Sequence, residues 1–389
     1  MHDESQGAGG AMGPRRHTAG VQVTDATGVG TEPGQTGRRA TIRDVARTAG
    51  VSIATVSLAL SDHPDVAEAT RQRVKEVADL LGYNPSAVGR ALQARRTNAV
   101  GLVIPHSSQH VFSHLYFMEI MAGVSEVLNA SGKTLVVSTS PAEDEEEAAY
   151  VKILRSQQVD GVIVASAALS DDNIARLRAS GYPMVFIGRY PFDPTMPSVG
   201  IDDFGGAYQA VSHLLAHGHT RIAHISGPLA HLSALDRYEG YAQALLEAGV
   251  VPRPEYCYEG DYSEEAGQAG MQALLALHDP PTALFAANDE TAVGAIAVLR
   301  EAGIEPGAAF PIVSFDDVVI ARLITPPLTT VRQPMRLLGM EATRLLLDIM
   351  QGRAPEHLQI SLPVELVVRR SCGCAGSAPN TTNMQFRKE

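Results

Sequence analysis

The feature that most constrains the fold is an alternation of short apolar strands with helices that begins near Ala99. Five segments rich in β-branched residues are separated by helical stretches, and a second set of three follows. Such segments are typical of parallel strands whose two faces are both covered by helices. Two sets predict two α/β subdomains with a cleft between them. The segments are AVGLVIP, TLVVSTS, DGVIVAS, MVFIG and SVGID, then RIAHISG, TALFAAND and PIVSFDD.

Polar residues stand where several of these strands end. Arg189 follows MVFIG, Asn288 follows LFAA and Asp316 follows IVSF. Ligands of open α/β sheets bind at the carboxyl ends of strands, so we expect a small-molecule site there. A carboxylate such as Asp316 can accept two hydroxyl hydrogens, and Arg237 and Asn288 can serve both polarities of a polyol, so these residues suit a sugar. The chain has no Trp, and the candidates for an aromatic sugar platform are Tyr116, Phe117, Phe192 and Phe315.

A helical hairpin is predicted ahead of the strands, over residues 41–62. Apolar residues recur at i, i+3, i+4 and i+7 from Ile42 to Ala49, which is one face of a helix. Thr41 begins this helix with a weak capping box, and Gly50 ends it. Ser52 caps a second helix that runs to about residue 60. Helix, tight turn, helix is the arrangement that places a second helix in the DNA major groove.

A third helix is expected from Glu68 to Leu81, with Val74, Val77, Leu80 and Leu81 on its packing face. The charge of this region also favours nucleic acid. Residues 38–96 contain ten Lys and Arg against six Asp and Glu, although the whole chain has a net charge of −12. A basic module on an acidic body can meet phosphate while the body stays soluble.

The chain is expected to be multi-domain, because 389 residues exceed one ordinary core. We expect a small all-α helix-turn-helix headpiece, a hinge helix, and an α/β core of two parallel-sheet subdomains. The expected ranges are a disordered extension over 1–38, the headpiece over 39–84, the hinge over 85–97, the core over 98–371 and a disordered tail over 372–389. Within the core, one subdomain is expected to comprise roughly 98–201 with 333–354, and the other 202–332 with 355–371.

Seven stretches carry a pattern in this order: TIRDVARTAGVSIATVS, LGYNPSAVGRAL, HTRIAHISG, RYEGY, FAANDETAVGA, SFDD and TPPLTTVRQP. Through them the chain resembles the lac repressor (LacI/GalR) family of bacterial transcription regulators, from about Thr41 to Cys372. The resemblance implies a core like that of periplasmic sugar-binding proteins and a homodimer that reads a pseudo-palindromic operator. It implies a repressor released by a sugar or a related small effector; a nucleobase-like corepressor is the alternative.

The resemblance also implies roles for individual residues. Ile53, Ala54 and Leu58 fall where the family's recognition helix meets base edges. Leu92 matches a leucine that the hinge helix wedges into the minor groove, and Val88 an apolar position between paired hinge helices. The expected DNA-binding residues are Thr41, Ser52, Ile53, Ala54, Thr55, Ser57, Leu58, Tyr83, Arg90 and Leu92. The expected effector-binding residues are His114, Tyr116, Phe117, Arg189, Arg237, Asn288, Phe315 and Asp316.

Departures from the family pattern predict specific differences. Leu58 stands where many relatives carry arginine, the side chain best suited to guanine, so the half-site should differ. Ala67 replaces the usual serine cap of the third helix, and Gly89 should loosen the hinge. The segment from His106 to Leu115 is longer than is usual in the family and lacks its Asn-Pro, so the residues of the first effector loop are not predicted. The tail has no leucine heptads, which argues against a four-chain assembly.

Other functions are weighed against this interpretation. A solute-binding protein would share the core but would need a signal peptide, and the polar N-terminus predicts none. A hydrolase could use Asp289, Asp316 and Asp317, but adjacent side chains point to different sides of a strand. We therefore expect no enzyme, no cofactor and a cytoplasmic protein without membrane contact.

Three histidines near the end of one predicted helix could suggest a metal site. His213 and His217 lie one helical turn apart, with His219 close by. We expect these histidines to be structural, because no carboxylate or thiol is suitably spaced near them in the sequence. Cys372 and Cys374 have the wrong spacing for a zinc knuckle with a two-residue gap, so no metal ligand is predicted.

Overall fold

The computed structural model describes residues 40–83, 97–141, 145, 147–156, 158–166, 168, 172–191 and 193–374. It divides the chain into two compact units, Met1–Pro85 and Ser86–Glu389, which are treated separately below. The predicted N-terminal extension and all but Thr97 of the predicted hinge lie outside the described residues. The expectations for Val88, Gly89, Arg90 and Leu92 therefore have no structural counterpart here.

The first unit contains the predicted helix-turn-helix. Its helices are α1 (Ile42–Ala49), α2 (Ile53–Leu60) and α3 (Glu68–Leu80). Gly50 ends α1 in the left-handed conformation at φ 66°, which a glycine adopts without steric cost. A compact apolar core holds the three helices together, with Val45, Val56 and Val74 fully buried at its centre.

Helix α3 differs from expectation on one side. Ala67 stands at its N-cap and makes no side-chain cap hydrogen bond, as its residue type predicts. Val74 is buried, and Val77 and Leu81 are half-buried. Leu80, predicted to pack inward, is instead 81% exposed. The headpiece core is small, and Val74 and Ala78 are the residues of α3 that are buried in it, so Leu80 stays outside the core.

The second unit is built on two six-stranded sheets, which confirms the predicted α/β core. In the first sheet the strand order is β11-β5-β4-β3-β1-β2, and the described register is parallel throughout. The strands are β1 (Ala99–Ser107), β2 (Thr134–Ser140), β3 (Gly161–Ala165), β4 (Met184–Ile187), β5 (Ser198–Ile201) and β11 (Gln359–Leu362).

The second sheet has the order β12-β10-β9-β8-β6-β7 and is parallel except for the antiparallel pair β10 and β12. Sequence reasoning predicted β6, β8 and β9 and missed the other three, which are short. Its strands are β6 (Ile222–Ser226), β7 (Cys257–Glu259), β8 (Ala283–Ala286), β9 (Ile312–Asp316), β10 (Thr329–Arg332) and β12 (Glu365–Val367).

Helices cover both faces of each sheet, as parallel sheets require. One apolar cluster joins the inner faces of the two sheets, and two further clusters fill the space under the helices on the outer faces. The helices are α4 (Ser108–Ser113), α5 (Leu115–Ala130), α6 (Glu147–Ser156), α7 (Asp172–Ala179), α8 (Asp203–Ala216), α9 (Leu232–Glu247), α10 (Glu264–Leu275), α11 (Asp289–Glu301), α12 (Val319–Leu323) and α13 (Met335–Met350), with a 3-10 turn at Pro254–Tyr256.

The described chain passes between the two sheets three times, which corrects one predicted boundary. It leaves the first sheet after Ile201, returns after Arg332, and leaves again between Leu362 and Glu365. The expectation that 355–371 belongs wholly to the second subdomain is wrong, because Gln359–Leu362 pairs with β5 in the first sheet. A four-residue strand with alternating exposure gives too weak a pattern to locate its partner.

The core also continues beyond its predicted end at Ser371. Cys372 is 2% exposed and belongs to the cluster between the sheets. The description of the chain reaches Cys374, so the prediction of a disordered tail from Cys372 is wrong at its first residues. Residues 375–389 lie outside the description.

Candidate functional site

The outward face of α2 is apolar. Ile53 is 45% exposed and Leu58 is 38% exposed, whereas Val56 and Ala59 on the opposite face are buried. Ala54 is exposed beside Ile53. The structure therefore brings together on one surface the three residues expected to meet DNA bases. This surface carries methyl and methylene groups, which can contact a thymine methyl but cannot hydrogen-bond to guanine.

Hydroxyl groups at the two helix starts are engaged in capping. Ser52 accepts a hydrogen bond from the backbone N–H of Thr55 at 3.0 Å, and the two hydroxyl oxygens lie 2.8 Å apart. The carboxylate of Asp44 accepts from the backbone N–H and the hydroxyl of Thr41, at 2.9 and 2.7 Å. These contacts fix the first turn of each helix. Ser57 is half-buried on α2, away from both helix starts.

Tyr83 and Arg71 help to hold the headpiece together. Tyr83 is half-buried and packs at the edge of the headpiece core. The guanidinium of Arg71 donates to the carbonyl oxygens of His63 and Val66 at 3.1 and 3.0 Å and holds the turn before α3. Arg43 and Arg73 are exposed on α1 and α3.

A cavity of about 810 Å³ opens in the second unit between the carboxyl ends of the two sets of strands. This is the place predicted for a ligand of open α/β sheets. Seven of the eight expected effector-binding residues line it: His114, Tyr116, Phe117, Arg189, Arg237, Asn288 and Asp316. The eighth, Phe315, is fully buried behind them. Phe192, a further aromatic candidate, lies outside the described residues.

Arg237 on α9 organises the polar floor of the cavity. Its Nε donates to Asp203 Oδ1 at 2.8 Å and its Nη1 to the carbonyl oxygen of Ala287 at 2.6 Å. Asp316 Oδ1 lies 3.7 Å from Nη1. The guanidinium stacks on Phe315 with 3.7 Å between its carbon and the ring centroid, so this platform candidate supports arginine, whereas Tyr116 and Phe117 line the cavity.

The two carboxylates beside Arg237 have raised pKa values. Burial raises the pKa of Asp203, and the positive charge of Arg237 opposes this shift. Burial likewise raises the pKa of Asp316 to about 6, with Arg237 opposing the shift and the charge of Glu290 adding to it. The site thus holds acceptors that are costly to keep charged without a partner. A ligand that donates hydroxyl hydrogens to them would relieve this cost.

Asn288 has a double position. Its Oδ1 caps α11 by accepting from the N–H of Thr291 at 2.9 Å. Its Nδ2 donates to the carbonyl oxygen of Tyr262 at 2.9 Å and to Glu290 Oε2 at 2.8 Å. The amide that was expected to contact an effector is therefore also part of the frame of the site.

An ion pair crosses the cleft. Arg189, which follows β4 of the first sheet, donates through Nε and Nη2 to the carboxylate of Asp236 on α9, at 2.9 and 2.5 Å. Asp236 is 5% exposed, and its hydrogen bonds raise the pKa of Arg189. This bidentate contact ties the two subdomains together at the mouth of the cavity.

Four histidines line one wall of the cavity, and only His114 was expected there. The ring centroids of His106 and His110 are 4.7 Å apart, and those of His110 and His114 are 4.1 Å apart. His231, from the other subdomain, stacks on His106 at 5.5 Å. Burial lowers the pKa of His231 to about 4 and keeps it neutral. The available signal was three histidines within nine residues, although His106 lies in β1, His110 in α4 and His114 just after α4.

The residues weighed for hydrolysis do not form an acid/base pair. Asp289 is fully buried, and its carboxylate accepts from Ser314 at 2.5 Å and from Thr330 at 2.8 Å. Asp317 pairs with Arg332 at 2.7 Å and Arg369 at 2.6 Å. Neither aspartate lines the cavity.

The two parts of the chain match two family models. Residues 41–86 match "Bacterial regulatory proteins, lacI family", and residues 97–369 match "Periplasmic binding proteins and sugar binding domain of LacI family". The chain belongs to the LacI family of bacterial regulatory proteins.

This LacI-family member is similar to curated relatives over nearly the full length of those relatives. The chain is 35% identical over 333 residues to the HTH-type transcriptional repressor PurR of Mannheimia succiniciproducens, which covers 85% of this chain and 98% of that protein. It is 36% identical over 338 residues to the HTH-type transcriptional regulator CelR of Thermobifida fusca, which covers 86% and 98%. These relatives are regulators of transcription.

Solved structures agree with this assignment. The lac repressor dimer bound to operator and the anti-inducer ONPF aligns with a TM-score of 0.76 at 30% identity, covering 86% of this chain and 99% of that chain. The CelR–cellobiose complex aligns with a TM-score of 0.67 at 34% identity, covering 86% and 100%. Among the described helices of the LacI-family chain, none is both long and apolar enough to cross a membrane.

Proposed function

We propose that the protein is a ligand-responsive repressor that binds a pseudo-palindromic operator as a homodimer and is released by a sugar or a related small effector. The observation that carries this proposal is a cavity of about 810 Å³ whose floor holds a buried arginine between two carboxylates. The same chain carries a helix-turn-helix headpiece. A pocket for a polar ligand joined to a DNA-binding unit is the arrangement of a regulator.

The chemistry of the cavity favours a polyhydroxylated effector. Asp316 and Asp203 accept hydroxyl hydrogens, Arg189 and Arg237 donate hydrogen bonds, and Tyr116 adds aromatic surface. The volume lies within the range of about 300–1,000 Å³ that small-ligand pockets occupy, so it accommodates a disaccharide. A solved relative at 34% identity, CelR, is in complex with cellobiose. These features together support a sugar or short oligosaccharide as effector.

The headpiece is proposed to read DNA through α2. Its exposed Ile53, Ala54 and Leu58 would contact base edges, with Leu58 against a thymine methyl. A solved relative at 30% identity, the lac repressor, is a dimer bound to operator. The proposed DNA-binding set is Thr41, Ser52, Ile53, Ala54, Thr55, Ser57, Leu58 and Tyr83, with Arg90 and Leu92 in the hinge segment.

Coupling between the two sites is proposed to run through closure of the cleft. The Arg189–Asp236 ion pair joins the two subdomains at the cavity mouth, so an effector that exchanges these contacts would change the angle between them. Allosteric coupling of this kind typically amounts to about 1–3 kcal/mol. The protein is further proposed to work in the cytoplasm without catalysis or a cofactor.

The deciding experiment is a thermal-shift screen of sugars, with nucleobases as the comparison set, followed by an operator-binding assay with each hit. We expect a sugar to raise the melting temperature and to weaken DNA binding. The variant Asp316→Asn should lose most of the shift. If instead a nucleobase raises the melting temperature and strengthens DNA binding, the protein is a repressor that requires a corepressor. If the protein binds no operator DNA even at low salt, the proposal that it is a DNA-binding regulator is refuted.

A further inference from the structure

Two cysteines and two histidines meet at the end of α8, away from the effector cavity. Cys372, Cys374, His213 and His217 are here called the Cys–His cluster. One ligand atom each of His213, Cys372 and Cys374 lies within 4.8 Å of the other two. Cys374 Sγ is 3.3 Å from His213 Nε2 and 3.1 Å from His217 Nε2. No thiol is close to these histidines in the sequence, but the fold brings two thiols to them from a distant part of the chain.

The histidine half of the cluster is presented by one helix end. His213 lies in the last turn of α8 and His217 is its C-cap, so both rings project from the same face. Their centroids are 4.7 Å apart in an edge-on arrangement. The C-terminus of a helix carries partial negative charge and favours a cation close by.

The cysteine half is held by a tight turn anchored in the core. Ser371 donates from its hydroxyl to the carbonyl oxygen of Ile312 at 2.7 Å and accepts from the N–H of Thr329 at 2.8 Å. Gly373 is left-handed at φ 74°, and a Cβ added there would lie 2.6 Å from the carbonyl oxygen of Gly307. Only glycine fits this turn, and it directs both sulfur atoms toward α8.

The donor set is that of a structural zinc site. Two sulfur and two imidazole nitrogen ligands around zinc make a tetrahedral Cys₂His₂ site. The donors of His213, Cys372 and Cys374 already lie within 4.8 Å of one another, and His217 joins them through its contact with Cys374. The two sulfur atoms lie 2.6 Å apart, whereas Zn–S bonds of about 2.3 Å in a tetrahedron place them roughly 3.8 Å apart. The metal form therefore needs the sulfurs to separate by about 1 Å, and the half-buried Cys374 is less enclosed than Cys372, which is 2% exposed.

We propose that the Cys–His cluster binds one zinc ion and so fastens the end of the core to α8. Zn²⁺ is the metal that this combination of soft and imidazole ligands in a tetrahedron selects. Both cysteines bind as thiolates, and the histidines bind as neutral imidazoles. Binding thus forms two Zn–S and two Zn–N bonds and releases two thiol protons to solvent, which leaves a neutral complex.

This site is separate from the proposed effector site. None of the four ligands lines the cavity, which α8 reaches only at its opposite end, through Asp203. The proposal does not depend on operator or effector binding, and its test can succeed or fail without them.

The test is metal titration of the full-length protein, purified with reductant and stripped of metal. Co²⁺ reports geometry, because tetrahedral cobalt with thiolate ligands has strong visible bands and a sulfur-to-metal charge-transfer band. Zn²⁺ affinity is measured by competition with a chromophoric chelator. We expect one metal per chain, tetrahedral cobalt bands, and displacement of cobalt by zinc.

Variants identify the ligands. Cys374→Ser and His217→Ala change half-buried or exposed groups, so the fold should survive, as circular dichroism can check. Each should abolish the thiolate-cobalt spectrum or reduce it sharply, and should lower zinc affinity by at least about a hundredfold, more than loss of an outer-shell partner does. Cys257→Ser, which removes the thiol outside the cluster, should change neither.

Three results would overturn the proposal. One is no stoichiometric metal binding by the reduced protein. Another is a cobalt spectrum identical in wild type and Cys374→Ser. The third is a Cys372–Cys374 disulfide that persists under reductant and excludes metal, detected as a mass loss of two hydrogens.

Discussion

Replacement of Asp316 by asparagine should stabilise the protein and weaken its effector binding. Burial raises the pKa of this carboxyl from 3.8 to about 6. A raised carboxyl pKa favours folding below pH 3.8, and this contribution is lost as the pH rises through 6. At 1.36 kcal/mol per pKa unit, ionised Asp316 destabilises the fold by about 3 kcal/mol at pH 7.5. Asparagine removes this charge and keeps an oxygen that can accept from Gln333.

Urea unfolding of the wild type and Asp316→Asn, followed by circular dichroism, measures this effect. The variant should be more stable by up to about 3 kcal/mol at pH 7.5 and by only about 1 kcal/mol at pH 4.5, where wild-type Asp316 is protonated in the folded state. Effector affinity at pH 7.5 should fall by about ten- to a hundredfold, the contribution of hydrogen bonds to a charged group.

Asp317→Asn is the matched control. Asp317 is the next residue, but its carboxylate pairs with Arg332 and Arg369 outside the cavity. Its replacement should therefore lower stability and leave effector affinity unchanged. The reasoning is refuted if Asp316→Asn is less stable than the wild type at pH 7.5, or if its gain in stability does not change with pH.

Three further perturbations test other parts of the molecule. Gly294→Ala should lower the free energy of unfolding by about 1–3 kcal/mol or more, because its new Cβ would lie 1.9 Å from the carbonyl oxygen of Glu264, where α10 packs on α11. The unfolding midpoint in urea measures this change, and an unchanged midpoint would contradict the contact. His224→Phe should make the free energy of unfolding less dependent on pH between 6.5 and 4. Burial lowers the pKa of His224 to about 4, so only the unfolded state takes up the proton over this range, and the wild type should lose about 3 kcal/mol of stability from this group. Parallel curves of stability against pH for the two proteins would refute the effect. Operator affinity measured by fluorescence anisotropy should fall by about 10³–10⁵ between about 50 and 200 mM salt if roughly six to ten phosphates are contacted, whereas a flat profile would exclude phosphate-driven binding.

Local patterns in the sequence predict most of the architecture. The helix-turn-helix follows from a 3.6-residue apolar period and from caps that lie within a few positions of each other, as in residues 41–60. The longer buried strands, such as β1 and β3, follow from runs of β-branched residues. The carboxyl ends of β8 and β9 then locate Asn288 and Asp316 at one edge of the second sheet, and Arg189 at the corresponding edge of the first. These signals are local, so the sequence alone carries them.

Long-range contacts decided what local patterns could not. Strand Gln359–Leu362 lies in the first sheet because the chain crosses to the second sheet only after Leu362, and no local signal marks where that crossing occurs. Phe315 supports Arg237 instead of facing a ligand, because alternate residues of β9 point to opposite sides and Asp316 takes the cavity side. His231 reaches the histidine wall from the other subdomain.

The Cys–His cluster shows the same division most clearly. The sequence by itself determined that His213 and His217 share one face of a helix, since they are four residues apart. Only the tertiary structure placed Cys374 beside them, 161 and 157 positions along the chain. Spacing rules detect ligands within one element, whereas a site assembled from two depends on how the core is packed.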